Sequence, residues 1–228
     1  MFGEKKEGTA SRRRLVLTII RKIYPFRKPN DEIGFIAAFI RPRRTKGGSV
    51  MRKAVLQEFY KYCARPERIV WAVAQYEDQR SICPLGWKMN TSGSPPMMAI
   101  SVAPSRFTHD LIVKSGEFVL AWPGEDLAEA TLFCGTRSGR NVDKFKEMGF
   151  TVTQGKHAKA PLIKECIANL ECRLAGQMTS GDHTIFAGEI LAVWVNDSPK
   201  RLLCSIDHSS GYDFLLEKAG YRFGVVKA

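Results

Sequence analysis

Two short polar segments combine arginines and hydroxyl side chains just ahead of a predicted helix, and this combination binds phosphate groups in many proteins. The first, CGTRSGRNVDKF, spans residues 134–145 and supplies Arg137, Ser138 and Arg140. The second, SVAPSRFTHDLI, spans residues 101–112 and supplies Ser101, Ser105, Arg106 and Thr108. A helix N-terminus offers free N–H groups and the positive end of the helix dipole, so fixed donors and a cation converge there on an anion. Both segments are candidate phosphate sites.

The first segment matches neither of the common nucleotide-binding motifs. A Walker loop needs four residues between its glycines and then Lys-Ser/Thr, whereas Gly135 and Gly139 are separated by three residues and followed by Arg140. A Rossmann G-x-G-x-x-G is absent as well. A solvent-exposed turn with its arginines in water is therefore the alternative interpretation of this loop.

The remaining chemistry-bearing residues argue against two classes of site. Asp182 and His183 are neighbours after Gly181, but the sequence has no nucleophile elbow, so a Ser-His-Asp hydrolase is not predicted. The four histidines and six cysteines show no H-x-H, H-E-x-x-H or C-x-x-C spacing, so we expect no metal site. Scattered single cysteines are typical of a reducing compartment, which predicts a cytoplasmic protein.

The elements that must position these residues are short and mostly β. Apolar, β-branched and aromatic runs predict strands at 68–75, 97–104, 117–123, 168–176, 183–197 and 201–207, with a bulge or bend at Gly188. Capping and stop signals predict helices at 108–115, 126–133 and 142–148. Thr108 and Asn141 are the expected N-caps, and Gly116 and Gly149 the expected stops. This pattern predicts a mainly β, α+β fold built on an antiparallel β-barrel with short peripheral helices.

The positive charge of the chain is concentrated at its N-terminus. Residues 1–50 carry 13 Lys/Arg and four Asp/Glu, a net charge of +9 out of +12 for all 228 residues. The apolar runs at 15–20 and 34–40 are too short to span a bilayer or to form a signal peptide. We expect residues 1–50 to be a basic extension, either disordered or lying upstream of a true start near Met51, and residues 51–228 to form one folded domain.

Several motifs that are weak individually resemble a known family when taken in order. The chain contains a Pro-Pro turn, an apolar strand ending in Ser101, the segment SRFTH, the strand EFVLAWP, the loop CGTRSGRNVDKF and then PLI, LEC and GDHTIFAGEI. Over roughly residues 68–197 this resembles the flavin reductase-like, FMN-binding split-barrel family, which includes flavoredoxin and the reductase components of two-component monooxygenases. The resemblance implies a split antiparallel β-barrel and makes residues 51–228 the FMN-binding domain. Residues 1–60 have no counterpart in this pattern.

The resemblance also implies roles for residues at matching positions. The strand and turn after the Pro-Pro pair would hold the FMN phosphate through Ser101, Ser105, Arg106 and Thr108. The stretch before that pair would run along the isoalloxazine ring and ribityl chain through Lys88, Met89, Asn90 and Thr91. Trp87 and Lys88 depart from the small residues usual there. The loop residues near the flavin edge or the nicotinamide phosphates would be Arg137, Ser138 and Arg140.

The triplet Gly181, Asp182 and His183 resembles the family segment associated with nicotinamide binding beside the flavin. His183 is therefore the candidate catalytic residue, and a polar turn residue is the alternative. The implied cofactors are FMN and, as electron donor, NADH or NADPH. The protein would hold the two rings stacked at roughly 3–3.5 Å, so that a hydride passes to the flavin.

The predicted function is that of an FMN-binding oxidoreductase that reduces flavin with NAD(P)H. Two alternatives stay open: a flavoredoxin-like FMN electron carrier with little nucleotide turnover, and a protein of another class that binds nucleic acid or membrane through its basic arm. Of these three functions, binding of nucleic acid or membrane by the basic arm is the one that we expect least. The resemblance implies a homodimer with FMN near the subunit interface, and an electron-accepting protein or monooxygenase as partner.

Overall fold

The computed structural model describes residues 52–198, 200–206 and 212–226, so the predicted basic extension at 1–50 lies outside the described residues. The helices are α1 (Leu56–Cys63), α2 (Phe107–Ser115), α3 (Ala128–Thr136) and α4 (Lys144–Met148), with a 3-10 turn at Glu125–Leu127. The strands are β1 (Glu67–Arg68), β2 (Val70–Tyr76), β3 (Gln79–Leu85), β4 (Lys88–Gly93), β5 (Pro96–Val102), β6 (Glu117–Trp122), β7 (Val152–Thr153), β8 (Leu162–Ile163), β9 (Ala168–Ser180), β10 (His183–Val195), β11 (Cys204–Ser205), β12 (Tyr212–Lys218) and β13 (Tyr221–Val226).

The larger of the two main sheets has seven strands in the order β3-β2-β6-β9-β10-β5-β4. A second sheet has the order β1-β11-β13-β12, and β7 pairs with β8. The strand pairings within these sheets are antiparallel. This confirms the predicted mainly β architecture with short helices.

The centre of the seven-stranded sheet is buried on both faces. On β2, Val70 and Ala72 pack into a cluster that includes Leu111 of α2, while Trp71 packs on the opposite face with Leu132 of α3. Fully burying one such aliphatic side chain contributes about 1.5–3 kcal/mol. Two-sided burial explains why β2 is a continuous apolar run instead of an alternating one.

Two predicted helix ends are confirmed. Gly116 ends α2 with φ 69°, and Gly149 ends α4 with φ 65°, both in the left-handed region. Glycine adopts this conformation without the steric penalty that a Cβ brings. The sequence therefore predicted helix stops correctly, because the stop signal depends on one residue's own backbone freedom.

Both predicted N-caps are wrong. Thr108 is buried inside α2, whose N-cap position is held by Arg106 with no side-chain capping hydrogen bond. The cap of α4 is Asp143, whose side chain accepts hydrogen bonds from the N–H groups of Phe145 and Lys146. Asn141 lies two residues earlier, in the preceding turn. The carboxylate is the better acceptor at the positive end of a helix, and it displaces the predicted cap.

The long hairpin of β9 and β10 contains the predicted bulge. The pairing register shifts between Ala187 and Gly188, and a Cβ at Gly188 would overlap the ring of Phe118. Glycine at this position therefore lets the sheet approach a core aromatic closely.

The predicted strand at 201–207 is shorter than expected, since only Cys204–Ser205 pair as β11.

Candidate functional site

A cleft of about 530 Å³ brings the two predicted phosphate segments together. It opens between β3, the N-terminal end of α2, the loop after α3 and strand β13, and its volume is in the range of small-molecule sites. Six of the predicted flavin-site residues line it: Ser101, Ser105, Arg106, Thr108, Arg137 and Ser138.

The polar wall of the cleft carries donors with no partner within the described chain. Arg106 and Arg137 make no ion pair with any residue that the structure describes. The hydroxyls of Ser101 and Ser105 likewise have no hydrogen-bond partner among residues 52–198, 200–206 and 212–226. Arg106 also stands at the uncapped N-terminus of α2. Unpaired guanidinium groups beside free hydroxyls and N–H groups are the donor set that a phosphate dianion needs.

The floor of the cleft holds a buried amine and two thiols. Lys144 Nζ donates to the carbonyl oxygens of Ile82 and Cys134, each at 2.6 Å, and burial lowers the pKa of this amine. Burial likewise raises the pKa of the Cys83 thiol, and it raises that of Cys134 to about 12. Both thiols therefore stay protonated near neutral pH and are poor nucleophiles. This floor joins α4 to β3 and α3 rather than supplying a reactive group.

Aromatic side chains form the other walls. Trp87 lines the cleft at its rim and is 51% exposed. Tyr221 and Phe223 line it from β13, with their rings 6.5 Å apart and only 6° from parallel. Aromatic side chains that share a cleft with arginines and hydroxyl groups favour a ligand that contains both a planar ring and an anion.

His183 lies next to this cleft but does not line it. Gly181 and Asp182 form the turn between β9 and β10, with Gly181 at φ 61°, and His183 Nδ1 is 2.6 Å from Asp182 Oδ1. The hydrogen bond from His183 lowers the pKa of Asp182. Asp182 belongs to the turn and not to strand β10, so its side chain can reach the ring of its neighbour His183. The His183 ring reaches the cleft through Trp87, at 4.9 Å between ring centroids.

Arg140 has a different position from Arg137. Its guanidinium pairs with Asp110 at 2.5 Å, donates to the Ser105 carbonyl at 3.2 Å and lies over the ring of Phe107. Arg140 is outside the cleft wall, where it ties the loop after α3 to the start of α2. Its contribution is to hold the two phosphate segments against each other.

The residues predicted to run along the flavin ring lie on the edge strand β4, outside the cleft. Met89, Asn90 and Thr91 are exposed there. Lys88 is half-buried, and its amine donates to the carbonyls of Arg68 and Gly86. Burial lowers the pKa of Lys88. Within one chain these four side chains are separate from the polar wall of the cleft.

Sequence reasoning missed the part of the cleft that the second sheet supplies. Ser205 comes from β11, and Tyr221 and Phe223 come from β13. Glu67 opens β1, and Arg65 lies in the segment just before it. No local pattern marks these residues, because pairing between distant strands brings them to the cleft.

Among the described residues, no cluster of three or more potential metal ligands is found, and no helix is long and apolar enough to cross a membrane.

Comparison with known sequences identifies the family. The Flavin reductase like domain matches residues 63–212, more than half of the chain, so the chain belongs to the flavin reductase-like domain family. An uncharacterized protein of Archaeoglobus fulgidus is 38% identical over 141 residues, covering 62% of this chain and 77% of that protein. An NADH-dependent FAD reductase of Streptomyces globisporus is 31% identical over 104 residues, covering 45% of this chain and 56% of that enzyme.

Solved structures with the same fold support the family assignment. An FMN-binding protein from Thermus thermophilus matches with a TM-score of 0.61 and 26% identity, covering 79% of this chain and 97% of that one. Flavoredoxin of Desulfovibrio vulgaris matches with a TM-score of 0.62 and 25% identity, covering 78% and 94%. These similarities confirm the predicted split-barrel fold.

Proposed function

We propose that this protein binds FMN in the cleft and reduces flavin with NADH or NADPH. The proposal depends mainly on one observation: two arginines and two serine hydroxyls that have no partner among the described residues line the same cleft of about 530 Å³ as Trp87, Tyr221 and Phe223. The FMN-binding and NADH-dependent relatives support it. The flavin ring bound there would accept a hydride from the nicotinamide. Amino-acid side chains cannot accept a hydride in this way, so the cofactor would supply this chemistry.

The residues of the cleft fit the cofactor in both of its chemical parts. Arg106, Ser101 and Ser105 would hold the phosphate at the start of α2, and Arg137 would reach it from the facing loop. The aromatic walls would cover the ring and exclude water from it. Arg140 would keep the loop in place through Asp110.

We place His183 in a supporting position beside the nicotinamide site. Its hydrogen bond to Asp182 fixes one ring nitrogen, and its contact with Trp87 sets the orientation of the indole at the cleft rim. Gly181 forms the turn that brings Asp182 and His183 to this end of the sheet. Lys88, Met89, Asn90 and Thr91 would contact a flavin only where the edge strand β4 faces a second subunit, and the proposed assembly is therefore a homodimer.

The decisive experiment is an anaerobic flavin titration of the purified protein. FMN is added, binding is followed by quenching of flavin fluorescence, and NADH or NADPH is then mixed with the complex. Loss of the flavin absorbance band on mixing is the expected result. A protein that does not bind FMN would contradict the whole proposal.

A second function is favoured by the similarity to flavoredoxin. A flavoredoxin-like carrier would bind FMN tightly and pass electrons to a partner protein with little nucleotide turnover. The same experiment separates the two functions, since a carrier would bind FMN without being bleached by either nucleotide. Chemical reduction of the bound flavin by dithionite would then serve as the positive control.

A further inference from the structure

A second cleft of about 440 Å³ adjoins the first at its rim. Its lining is formed by Tyr60 and Ala64 at the end of α1, by Arg65 and Glu67, and by Trp87. Arg65, Glu67 and Trp87 also line the larger cleft. A ligand longer than one cleft can therefore extend past these three side chains into the other.

The second cleft has two aromatic side chains available for stacking. Trp87 is 51% exposed and Tyr60 is 46% exposed, so both rings present open faces to a ligand. Exposed aromatic faces of this kind can stack on planar heterocycles such as nucleobases. The apolar part of the cleft therefore favours a flat, heteroaromatic group.

Glu67 and Arg65 supply the polar part. Arg65 Nη1 is 2.9 Å from Glu67 Oε2, which places a paired cation and carboxylate at the junction of the two clefts. The Glu67 carboxyl lies so close to Gly86 that a Cβ at Gly86 would overlap it. A carboxylate held in this way is a suitable acceptor for ribose hydroxyls, and the guanidinium is suitable for a neighbouring phosphate.

We propose that the second cleft binds the adenosine half of a dinucleotide whose reactive half lies in the larger cleft. The proposal rests on the flavin reductase function and names a subsite for it. Tyr60 and Trp87 stack the adenine, Glu67 accepts from the ribose, and Arg65 faces the phosphates. Tyr60 precedes the residues matched by the family, 63–212, so this subsite depends on a residue outside the shared domain.

Two dinucleotides contain this half, FAD and NAD(P)H, and the test distinguishes them. Tyr60→Ala is compared with wild type and with Leu56→Ala, a residue of the same helix that is also exposed and lines neither cleft. One arm measures the Kd values of FMN and FAD by flavin fluorescence. The other measures KM for NADH and for reduced nicotinamide mononucleotide, with the FMN-loaded protein.

Tyr60→Ala is expected to weaken one dinucleotide by roughly five- to tenfold, as loss of one base–aromatic stack should. FMN and reduced nicotinamide mononucleotide, which have no adenosine, should bind within twofold of wild type. Leu56→Ala should change none of the four values. A loss confined to FAD or to NADH supports the proposal and says which dinucleotide occupies the subsite.

Two results would overturn the proposal, and they have different meanings. If Tyr60→Ala leaves both dinucleotides unchanged while wild type binds FMN, the subsite is wrong and the flavin function stands. If wild type binds no flavin at all, the function itself is wrong, and the subsite fails with it. Circular dichroism spectra of the variants confirm that each remains folded.

Discussion

Glu171 is a fully buried carboxylate that organises the loop following β7, and its replacement by glutamine has a predictable cost. Its Oε2 accepts hydrogen bonds from the N–H groups of His157 at 2.6 Å and Ala158 at 2.7 Å. Its Oε1 accepts from the N–H of Lys156 at 3.0 Å and from Trp194 Nε1 at 2.7 Å. One charge therefore satisfies four donors.

Glutamine keeps one oxygen but puts an NH₂ group in place of the other, and that group cannot accept from the two donors it faces. Two charge-assisted hydrogen bonds are lost, each with a net value of about 1.5–3 kcal/mol. Water reaches the exposed side of the loop and offsets part of this loss. We expect Glu171→Gln to lower the free energy of unfolding by about 2–4 kcal/mol, and Tm by on the order of 10 °C for a chain of this size.

The assay is urea denaturation followed by circular dichroism at pH 7, with Glu189→Gln as the matched control. Glu189 lies on the neighbouring strand β10 and pairs with Arg173, whose side chain is 63% exposed. An exposed pair of this kind is worth less than about 1 kcal/mol. The reasoning would be refuted if Glu171→Gln were no more destabilising than Glu189→Gln.

The pH dependence gives an independent check on Glu171. Burial alone would raise the pKa of this carboxyl, but its four hydrogen bonds outweigh burial and hold the pKa below its ordinary value. Its stabilising contribution is therefore complete above the unfolded pKa of about 4.3 and is lost as the pH falls through the lower folded pKa. On acidification from pH 7, wild type should lose more stability than Glu171→Gln.

Three further substitutions test other parts of the structure. Arg106→Ala should weaken FMN binding by roughly 10- to 100-fold, since a guanidinium–phosphate bond is worth about 1.5–3 kcal/mol. Riboflavin, which has no phosphate, should bind less than twofold more weakly. Equal losses for the two flavins in fluorescence titrations would show that Arg106 does not hold the phosphate. Lys144→Met should lower the free energy of unfolding by about 1–3 kcal/mol, unlike Lys146→Met on the same helix, because it leaves two carbonyls without a donor. Burial lowers the Lys144 pKa below its ordinary value of 10.5, so the unfolded chain binds this proton more tightly than the folded chain. The free energy of unfolding of wild type should therefore rise as the pH increases toward 10.5, and this rise should be smaller in Lys144→Met. Gly188→Ala should cost about 1–3 kcal/mol by overlap with Phe118, whereas Gly176→Ala in the same hairpin meets nothing within 4 Å and should not destabilise; equal Tm values for the two would contradict the bulge argument.

Signals that depend on one residue or a short run were read correctly from the sequence. The predicted strands correspond to strands of the structure, Gly116 and Gly149 end their helices, and Gly188 marks the bulge. The order of the weak motifs was enough to predict the family and its fold. These features are local, because backbone freedom and apolar patterning act within a few residues.

The choice among competing polar side chains could not be read from the sequence. Asn141 and Asp143 are both acceptable caps, and Asp143 is the one that receives the N–H groups of α4, while Arg80 on β3 also contacts it. Glu171 lies on β9 between Leu170 and Cys172, and it is fully buried because the loop after β7 brings three N–H groups to it. Partners from distant segments decide these cases.

The sequence by itself determined the class of fold, the positions of most elements and the two segments that could bind phosphate. Tertiary structure decided which of their residues share a cleft: Arg106 and Arg137 line it and make no ion pair with any described residue, whereas Arg140 pairs with Asp110 outside its wall. It also supplied Tyr221 from the distant strand β13. The physical reason is that a binding site is made by side chains that meet across strand pairings and helix ends, and a pattern of a few residues does not record which distant groups those pairings bring together.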